Sequence, residues 1–197
     1  MNICVYGASS NIINSIYLEK TEELGRKIAQ RGHGLVFGGG NGGVMGASAR
    51  GAHSAGGTII GVAPTFFKVD GVLFKDCTEF VFTETMRDRK EILENRSEAY
   101  IVAPGGIGTF DEYFEIYTLK QLGRHAKALV IYNVDGYYDD MINMLHKTAR
   151  EQFMAEKSLE LFKVFDDIDE MLDYIENYEG ELVNLSEVKH VNLEEDK

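Results

Sequence analysis

Residues 99–112 read AYIVAPGGIGTFDE, an apolar run that leads into a turn with three glycines in four positions. Glycine is unfavourable inside strands and helices because ordering its backbone costs the most entropy, so a turn this rich in glycine needs a reason. The stretch predicts a buried strand over residues 99–103, a tight connection, and a helix from Thr109 to about Leu122. A strand that passes directly into a helix is the repeating unit of α/β folds.

The same alternation extends along the rest of the chain. Strands are predicted over residues 2–8, 35–40, 57–63, 79–83, 128–133 and 163–165, and helices near residues 12–31, 44–55, 84–96, 138–154 and 168–178. Short continuous apolar runs are typical of strands covered on both faces, and repeated strand–helix units imply right-handed crossovers. We therefore expect an α/β fold: a doubly wound, mostly parallel, Rossmann-like sheet with helices on both faces. Residues 1–180 are predicted to form one domain and residues 181–197 an acidic C-terminal tail.

The charge balance narrows the classes of partner. The 197 residues carry a formal net charge of -12, and residues 176–197 alone hold seven acids and two bases. Such a surface repels nucleic acid and anionic membranes, so neither is an expected partner. A phosphorylated ligand would have to be attracted by a local site rather than by the overall field.

Cysteine usage and the N-terminus indicate a reducing cytoplasm. Cys4 and Cys77 lie in apolar or strand-like stretches and are best interpreted as small buried hydrophobes. The N-terminal MNICVYGASS has no basic region, and its apolar run is too short for a signal peptide or a membrane span. No CxxC or HExxH motif is present, so no metal site is expected.

Three glycine-bearing or polar segments follow predicted strands. They are Gly7-Ala-Ser-Ser10, the run 38–46 (GGGNGGVMG) and the run 104–109 (PGGIGT). In open α/β sheets ligands bind beyond the carboxyl ends of the strands, so three such segments at one edge indicate a site.

The run 38–46 does not make a convincing dinucleotide site. Gly38, Gly40 and Gly43 satisfy GxGxxG, but no Asp or Glu lies between residues 51 and 69 to hold a ribose. The P-loop motif GxxxxGK[ST] is also absent from the sequence, so neither NAD nor a P-loop nucleotide is expected as a cofactor.

The run 104–109 has two interpretations that the residues alone leave open. Glycines let a phosphate approach the backbone, and the first helical N–H groups with the Thr109 hydroxyl would bind it. Alternatively, the run is a plain left-handed turn closed by a Thr109 N-cap. Glu112 fits the second interpretation as the distal acid of a T-x-x-E capping box.

A carboxylate beside an anion site has a use if the ligand is a sugar phosphate. Glu112 and Glu115 share one helix face, and cleavage of an N-glycosidic bond builds positive charge on the sugar ring. The cation for such a site would come from TMRDRKEILENR at 85–96, where Arg89 lies on the apolar face. A buried arginine needs a partner, so an ion pair with a glutamate or a snorkelling side chain remains the alternative. Phe66 and Phe67 are expected to lie in an ordinary packed loop, with a base pocket as the other interpretation.

The motifs GGGNGGVMG, MRDRK (86–90) and PGGIGTFDE (104–112) together resemble the LOG family, whose members are often mislabelled lysine decarboxylases. The likeness extends in order from about Cys4 to Tyr178. The resemblance implies a Rossmann-like, nucleotide-binding homodimer active in cytokinin biosynthesis. Such enzymes hydrolyse a nucleoside 5′-monophosphate to free base and ribose 5-phosphate, with no metal and no cofactor.

The resemblance also implies residue roles. Arg89 and Glu112 correspond to the catalytic pair, and the helices near residues 84–97 and 109–122 to the dimer interface. Substrate-binding roles are expected for Lys90, Gly105, Gly106, Ile107, Gly108, Thr109, Glu115, Thr118 and Asp70. This sequence departs from the family pattern in GASS at 7–10, Arg87 within MRDRK and Ala103 before PGG, which bears on the base that is accepted.

Two other functions compete with this expectation. A general purine or pyrimidine nucleotide nucleosidase would use the same phosphate and sugar contacts, and a non-catalytic carrier would bind a phosphorylated ligand without releasing a base. Pyridoxal-phosphate chemistry is disfavoured because it needs a Schiff-base lysine, and the nearest candidates, Lys90 and Lys127, do not follow a glycine-rich loop at a strand end.

Overall fold

The computed structural model describes residues 1–184, which alternate between strands and helices. The strands are β1 (Asn2–Tyr6), β2 (Gly34–Phe37), β3 (Ile59–Pro64), β4 (Glu79–Thr83), β5 (Ala99–Val102), β6 (Ala128–Tyr132) and β7 (Lys163–Phe165). The α-helices are α1 (Ser15–Gln30), α2 (Gly43–Ser54), α3 (Met86–Asn95), α4 (Ile107–Gln121), α5 (Asp139–Arg150) and α6 (Ile168–Glu176). The predicted tail lies outside the described residues from residue 185 onward, and the division at residue 180 stays a prediction.

The strands form one sheet in the order β4-β3-β2-β1-β5-β6-β7, and neighbouring strands are parallel throughout residues 1–184. Strands β2 to β4 extend from one side of β1, whereas β5 to β7 extend from the other. The strand order therefore reverses between β1 and β5, where the loops leaving the two strands separate and open a crevice. The prediction of a doubly wound, mostly parallel sheet is confirmed.

Two clusters of buried side chains cover the two faces of the sheet. One contains Leu24 and Ile28 of α1, Val44 of α2 and Leu172 of α6. The other joins α3, α4 and α5 through Leu93, Tyr113, Ile116, Tyr117 and Leu145. Because helices cover both faces, every residue of the central strands β2, β5 and β6 is buried, which explains their continuous apolar runs.

Helix starts differ from the predicted ones where a local contact decides them. The first helix was expected near Ile12 but begins at Ser15, because the Asn14 side chain accepts a hydrogen bond from the Ile16 N–H, and Ile12 is 96% exposed. Helix α3 begins at Met86 behind a capping box formed by Thr85 and Asp88. In residues 1–184 no helix is both long enough and apolar enough to cross a bilayer.

Candidate active site

A cavity of about 670 Å³ lies at the carboxyl edge of the sheet, over the point where the strand order reverses. Loops after four strands contribute to it, together with the first turns of α3 and α4. Its lining residues are Gly7, Ala8, Ser9, Ser10, Asn11, Gly38, Gly40, Gly42, Met45, Phe67, Gly71, Val72, Leu73, Met86, Arg89, Gly106, Ile107, Gly108, Thr109, Asp111 and Glu112. The three segments that the sequence pointed out at strand ends therefore meet at one site.

The N-terminus of α4 forms one wall of this cavity. The helix begins at Ile107 with Gly106 as its N-cap, and no side chain caps it. The N–H groups of the first helical turn have no partner within a helix, so those of Ile107 and Gly108 are available to a ligand. A Cβ added to Gly106 or Gly108 would meet no atom within 4 Å, so the space beside both residues, which line the cavity, is open.

The turn interpretation of this segment is wrong. Thr109 is the third residue of the helix rather than its cap, so Thr109 and Glu112 form no capping box. Gly105, Gly106 and Gly108 all avoid positive φ, so there is no left-handed turn either. Gly105 itself is buried beside the Thr109 side chain, whose Oγ1 would lie 2.1 Å from an added Cβ, and it does not line the cavity.

Arg89 of α3 and Glu112 of α4 form a buried ion pair that faces the cavity. Arg89 Nη1 lies 2.6 Å from Glu112 Oε1, and Arg89 Nε donates to the Val62 carbonyl at 3.2 Å. Arg89 is 5% exposed and Glu112 7% exposed. Gly38 leaves room for the guanidinium, because a Cβ there would lie 2.0 Å from Arg89 Nη2.

Burial dominates the electrostatics of Glu112. Desolvation raises the pKa of its carboxyl, and the charge and hydrogen bond of Arg89 lower it without cancelling the effect of burial. The pKa of Glu112 is therefore above its ordinary value. Among residues 1–184 only Arg89 hydrogen-bonds this carboxylate, through Oε1, so Oε2 remains for a ligand or water.

Lys90 links the same two helices outside the cavity. Its Nζ lies 2.5 Å from Glu115 Oε2 and 3.1 Å from Asp111 Oδ2. Burial lowers the pKa of Lys90, but the bonds to Glu115 and Asp111 outweigh burial and raise it. Thr118 on α4 and Asp70 in the loop after β3 are exposed, and neither lines the cavity. Ligand contacts by Lys90, Glu115, Thr118 and Asp70 stay predictions.

Comparison with known proteins identifies the family. A family model described as "Possible lysine decarboxylase" matches residues 45–175. The chain is 36% identical over 170 residues to the cytokinin riboside 5′-monophosphate phosphoribohydrolase of Mycobacterium tuberculosis, covering 86% of this chain and 90% of that protein. It is 30% identical over 176 residues to an Arabidopsis thaliana protein of the same name, covering 89% and 83%.

The chain belongs to the LOG family.

Two solved structures share the fold of this LOG family member. The molybdenum cofactor carrier protein of Chlamydomonas reinhardtii superposes with a TM-score of 0.68 at 23% identity, covering 89% of this chain and 95% of that one. A molybdenum cofactor binding protein from Rippkaea orientalis gives a TM-score of 0.66 at 20% identity, covering 89% and 93%. At these identities the likeness concerns the fold alone.

Some cavity residues of this LOG family member were not found from the sequence. Residues 71–73 reach the cavity because the Asn41 N–H donates to the Val72 carbonyl at 2.8 Å, and the Phe74 N–H to the Gly39 carbonyl at 2.9 Å. No sequence motif predicts such a contact between two loops. Asn11 also reaches the site, and its Oδ1 accepts a hydrogen bond from the Gly43 N–H at 2.7 Å. Its position directly after the GASS turn was the available signal.

The aromatic loop after β3 also differs from expectation. Phe66 and Phe67 are both exposed, so the interpretation as an ordinary packed loop is wrong. Phe67 lines the cavity, as do the apolar side chains of Met45, Met86 and Val72. One wall of the cavity is therefore apolar, whereas the wall formed by the start of α4 presents polar N–H groups.

Proposed function

We propose that this protein hydrolyses the N-glycosidic bond of a nucleoside 5′-monophosphate, a cytokinin riboside 5′-monophosphate or AMP, and releases free base and ribose 5-phosphate. One observation carries the proposal: a buried arginine–glutamate pair faces the same cavity as a helix N-terminus whose amides are uncovered. The names of the relatives from M. tuberculosis and A. thaliana support the same reaction.

The start of α4 binds the 5′-phosphate. The N–H groups of Gly106, Ile107 and Gly108 donate to the phosphate oxygens, and the helix dipole favours the negative charge. The Thr109 hydroxyl adds a further donor. Backbone donors solve the problem set by the net charge of -12, because they act at short range and need no basic surface.

Glu112 acts at the anomeric carbon. As the bond from C1′ to the base nitrogen breaks, the ring acquires positive charge that the carboxylate stabilises, and the free Oε2 orients a water towards C1′. The water oxygen bonds to C1′, one of its protons is lost, and a proton is gained by the departing base. Arg89 supports the base or the sugar through charge-assisted hydrogen bonds and holds the carboxylate in position.

The reaction requires Glu112 to be ionised. Because burial raises its pKa, turnover is expected to fall as the pH drops through that raised value. Because Arg89 lowers the pKa of Glu112, this fall in turnover should occur at a lower pH than burial alone would give. The apolar wall that includes Met86 and Phe67 is available to the base.

A panel of monophosphates tests the proposal. The full chain is incubated with isopentenyladenosine monophosphate, AMP and other nucleoside monophosphates, and chromatography measures the released base. Glu112→Gln keeps the shape and an acceptor for Arg89, so the fold should survive while turnover falls by about two or more orders of magnitude. Glu91→Gln, an exposed position on α3, is the matched control and should keep wild-type turnover.

The outcomes separate the alternatives. Base release from every monophosphate at similar rates identifies a general nucleotide nucleosidase. Binding without base release identifies a carrier of a phosphorylated ligand. In C. reinhardtii the same fold occurs in a molybdenum cofactor carrier protein. Wild-type turnover by Glu112→Gln contradicts the assigned mechanism.

A decarboxylase reaction with pyridoxal phosphate has little support from the residues present. The cavity lining within residues 1–184 contains no lysine for a Schiff base. Lys90 is engaged with Asp111 and Glu115, and Lys127 Nζ donates to the Glu94 carbonyl at 2.7 Å.

We propose further that the protein is a cytoplasmic homodimer that pairs through α3 and α4. Helix α4 is apolar around much of its circumference, since Phe110, Phe114 and Leu119 are only partly buried beside its buried face. The unpaired thiols of Cys4 and Cys77 support a reducing compartment. Light scattering after size exclusion tests the dimer, and a monomer with full activity would contradict it.

A further inference from the structure

Two neighbouring tyrosines hydrogen-bond backbone carbonyls of the loop at residues 103–106, which leads into the N–H groups that face the cavity. Tyr137 and Tyr138 lie between β6 and α5. The Tyr137 hydroxyl donates to the Gly105 carbonyl at 2.7 Å, and the Tyr138 hydroxyl donates to the Ala103 carbonyl at 2.8 Å. Neither tyrosine lines the cavity, so these bonds act on the loop rather than on a ligand.

The remaining carbonyls of the loop are also fixed. The Pro104 carbonyl accepts from the Ala8 N–H at 3.0 Å, and the Gly106 carbonyl accepts from the Phe110 N–H at 2.9 Å. These two bonds come from the backbone and tie the loop to the end of β1 and to α4. The Gly105 carbonyl, in contrast, is held by the side chain of Tyr137. That side chain lies at the protein surface, because Tyr137 is 40% exposed.

The geometry of the peptide bond makes the Tyr137 contact relevant to a ligand. In a trans peptide the C=O and N–H point in opposite directions, so holding the Gly105 carbonyl sets the direction of the Gly106 N–H. Gly106 lines the cavity, and the hydroxyl lies on the other side of this peptide. Two adjacent glycines allow the peptide to rotate, which would turn a carbonyl oxygen towards a bound anion.

Tyr137 is itself held in place by aromatic contacts. Its ring packs edge-on against Tyr17 with centroids 5.4 Å apart and against Tyr138 at 4.9 Å. Replacement by phenylalanine would preserve these ring contacts and remove the hydroxyl alone. We propose that Tyr137 is a positioning residue that keeps the Gly106 N–H directed at the phosphate, an inference that rests on the proposed function for the identity of the anion.

The test compares Tyr137→Phe with Tyr117→Phe in the full chain. Tyr117 is a matched control because its hydroxyl also donates to a backbone carbonyl, that of Ser158 at 2.9 Å, and it does not line the cavity. Isothermal titration with ribose 5-phosphate measures the anion site directly. Kinetics with the best monophosphate of the panel then separate KM from kcat, and thermal unfolding compares the stability of the two variants.

Loss of one neutral hydrogen bond should weaken ribose 5-phosphate binding by Tyr137→Phe about 2- to 12-fold. KM should rise by the same factor while kcat stays within about twofold of wild type, since ground state and transition state share the phosphate contact. Tyr117→Phe should leave both constants unchanged. Wild-type binding by Tyr137→Phe, or an equal loss in Tyr117→Phe, overturns the positioning role.

Ribose 5-phosphate binding and base release can fail independently of each other. If the wild-type protein binds ribose 5-phosphate but releases no base, the proposed hydrolysis fails and the binding comparison still decides the role of Tyr137. If base is released and Tyr137→Phe binds as tightly as wild type, only the positioning role fails. No affinity of the wild-type protein for ribose 5-phosphate overturns both.

Discussion

The buried pair of Arg89 and Glu112 makes a prediction that separates stability from activity. Both side chains are nearly inaccessible to solvent, and their charged atoms lie 2.6 Å apart. We consider Arg89→Met, Glu112→Leu and the double variant, in which apolar side chains replace both charges. Each single variant leaves one charge buried without its partner, which costs about 3–5 kcal/mol of the free energy of unfolding.

The double variant should be far more stable than the sum of the single losses implies. It leaves no uncompensated charge, and its main remaining defect is the Val62 carbonyl, which loses the Arg89 Nε donor. An unsatisfied buried acceptor costs about 1–3 kcal/mol, so the coupling between the two substitutions should exceed about 3 kcal/mol. Turnover should remain lost in the double variant, because the groups that contact the substrate are absent.

The two single variants should also differ in their dependence on pH. In Arg89→Met, Glu112 can avoid its buried charge by protonation, so its folded-state pKa lies even further above the ordinary value of 4.5. The folded state then binds more protons than the unfolded state, and stability falls as the pH rises above about 4.5. Glu112→Leu removes the titrating carboxyl, so this pH dependence of stability should be absent from that variant.

Urea unfolding followed by circular dichroism provides the free energies, at one protein concentration for all four proteins because a dimer is proposed. The experiment is repeated between pH 5 and 8, and base release is assayed in parallel. Single losses that add in the double variant to within about 0.5 kcal/mol would refute a coupled buried pair. A double variant with restored turnover would refute the catalytic assignment.

Two further predictions concern the cavity amides and a buried histidine. Gly108→Ala should stabilise the protein by up to about 1 kcal/mol, since a helical glycine is replaced where an added Cβ meets no atom within 4 Å, yet weaken ribose 5-phosphate binding measured by titration. Tighter or unchanged binding would show that this space is not used by the ligand. His125 is buried, and desolvation lowers its pKa to about 4 while Nε2 donates to the Ile116 carbonyl. Its lowered folded-state pKa means that the unfolded state binds the proton first, so stability should decline as the pH falls from about 6.5 towards 4. His125→Gln should reduce that decline in urea unfolding at pH 7 and pH 5, and an identical decline in both proteins would contradict the assignment.

Much of the fold could be predicted from the sequence because each strand and helix has a local sequence pattern. The apolar runs of β2, β5 and β6 are buried over their whole length, as continuous hydrophobicity predicts for parallel strands covered on both faces. Element boundaries were less predictable because single hydrogen bonds set them. The T-x-x-E pattern at Thr109 matched a capping box, whereas the box that forms is at Thr85 and Asp88.

The types of residue that form the site could be predicted from the sequence, but their arrangement in space could not. The PGGIGT run and the inward-facing Arg89 were recognised from their chemistry and spacing. That Arg89 pairs with Glu112, and that Gly38 must be small to admit the guanidinium, depends on how two helices and a loop after β2 pack together. The contact of Tyr137 with Gly105 joins residues 32 positions apart on different connections and has no signature along the chain.

The amino-acid sequence by itself determined the order of strands and helices, the family, and the three glycine-bearing segments at strand ends. Periodicity, turn residues and motifs are short-range properties, so they survive without knowledge of packing. Only the tertiary structure decided that α4 opens with uncovered amides, that a buried ion pair lies beside them, and that tyrosines hold the loop. Those features arise from contacts between distant segments, whose partners are selected by the packing of the whole sheet.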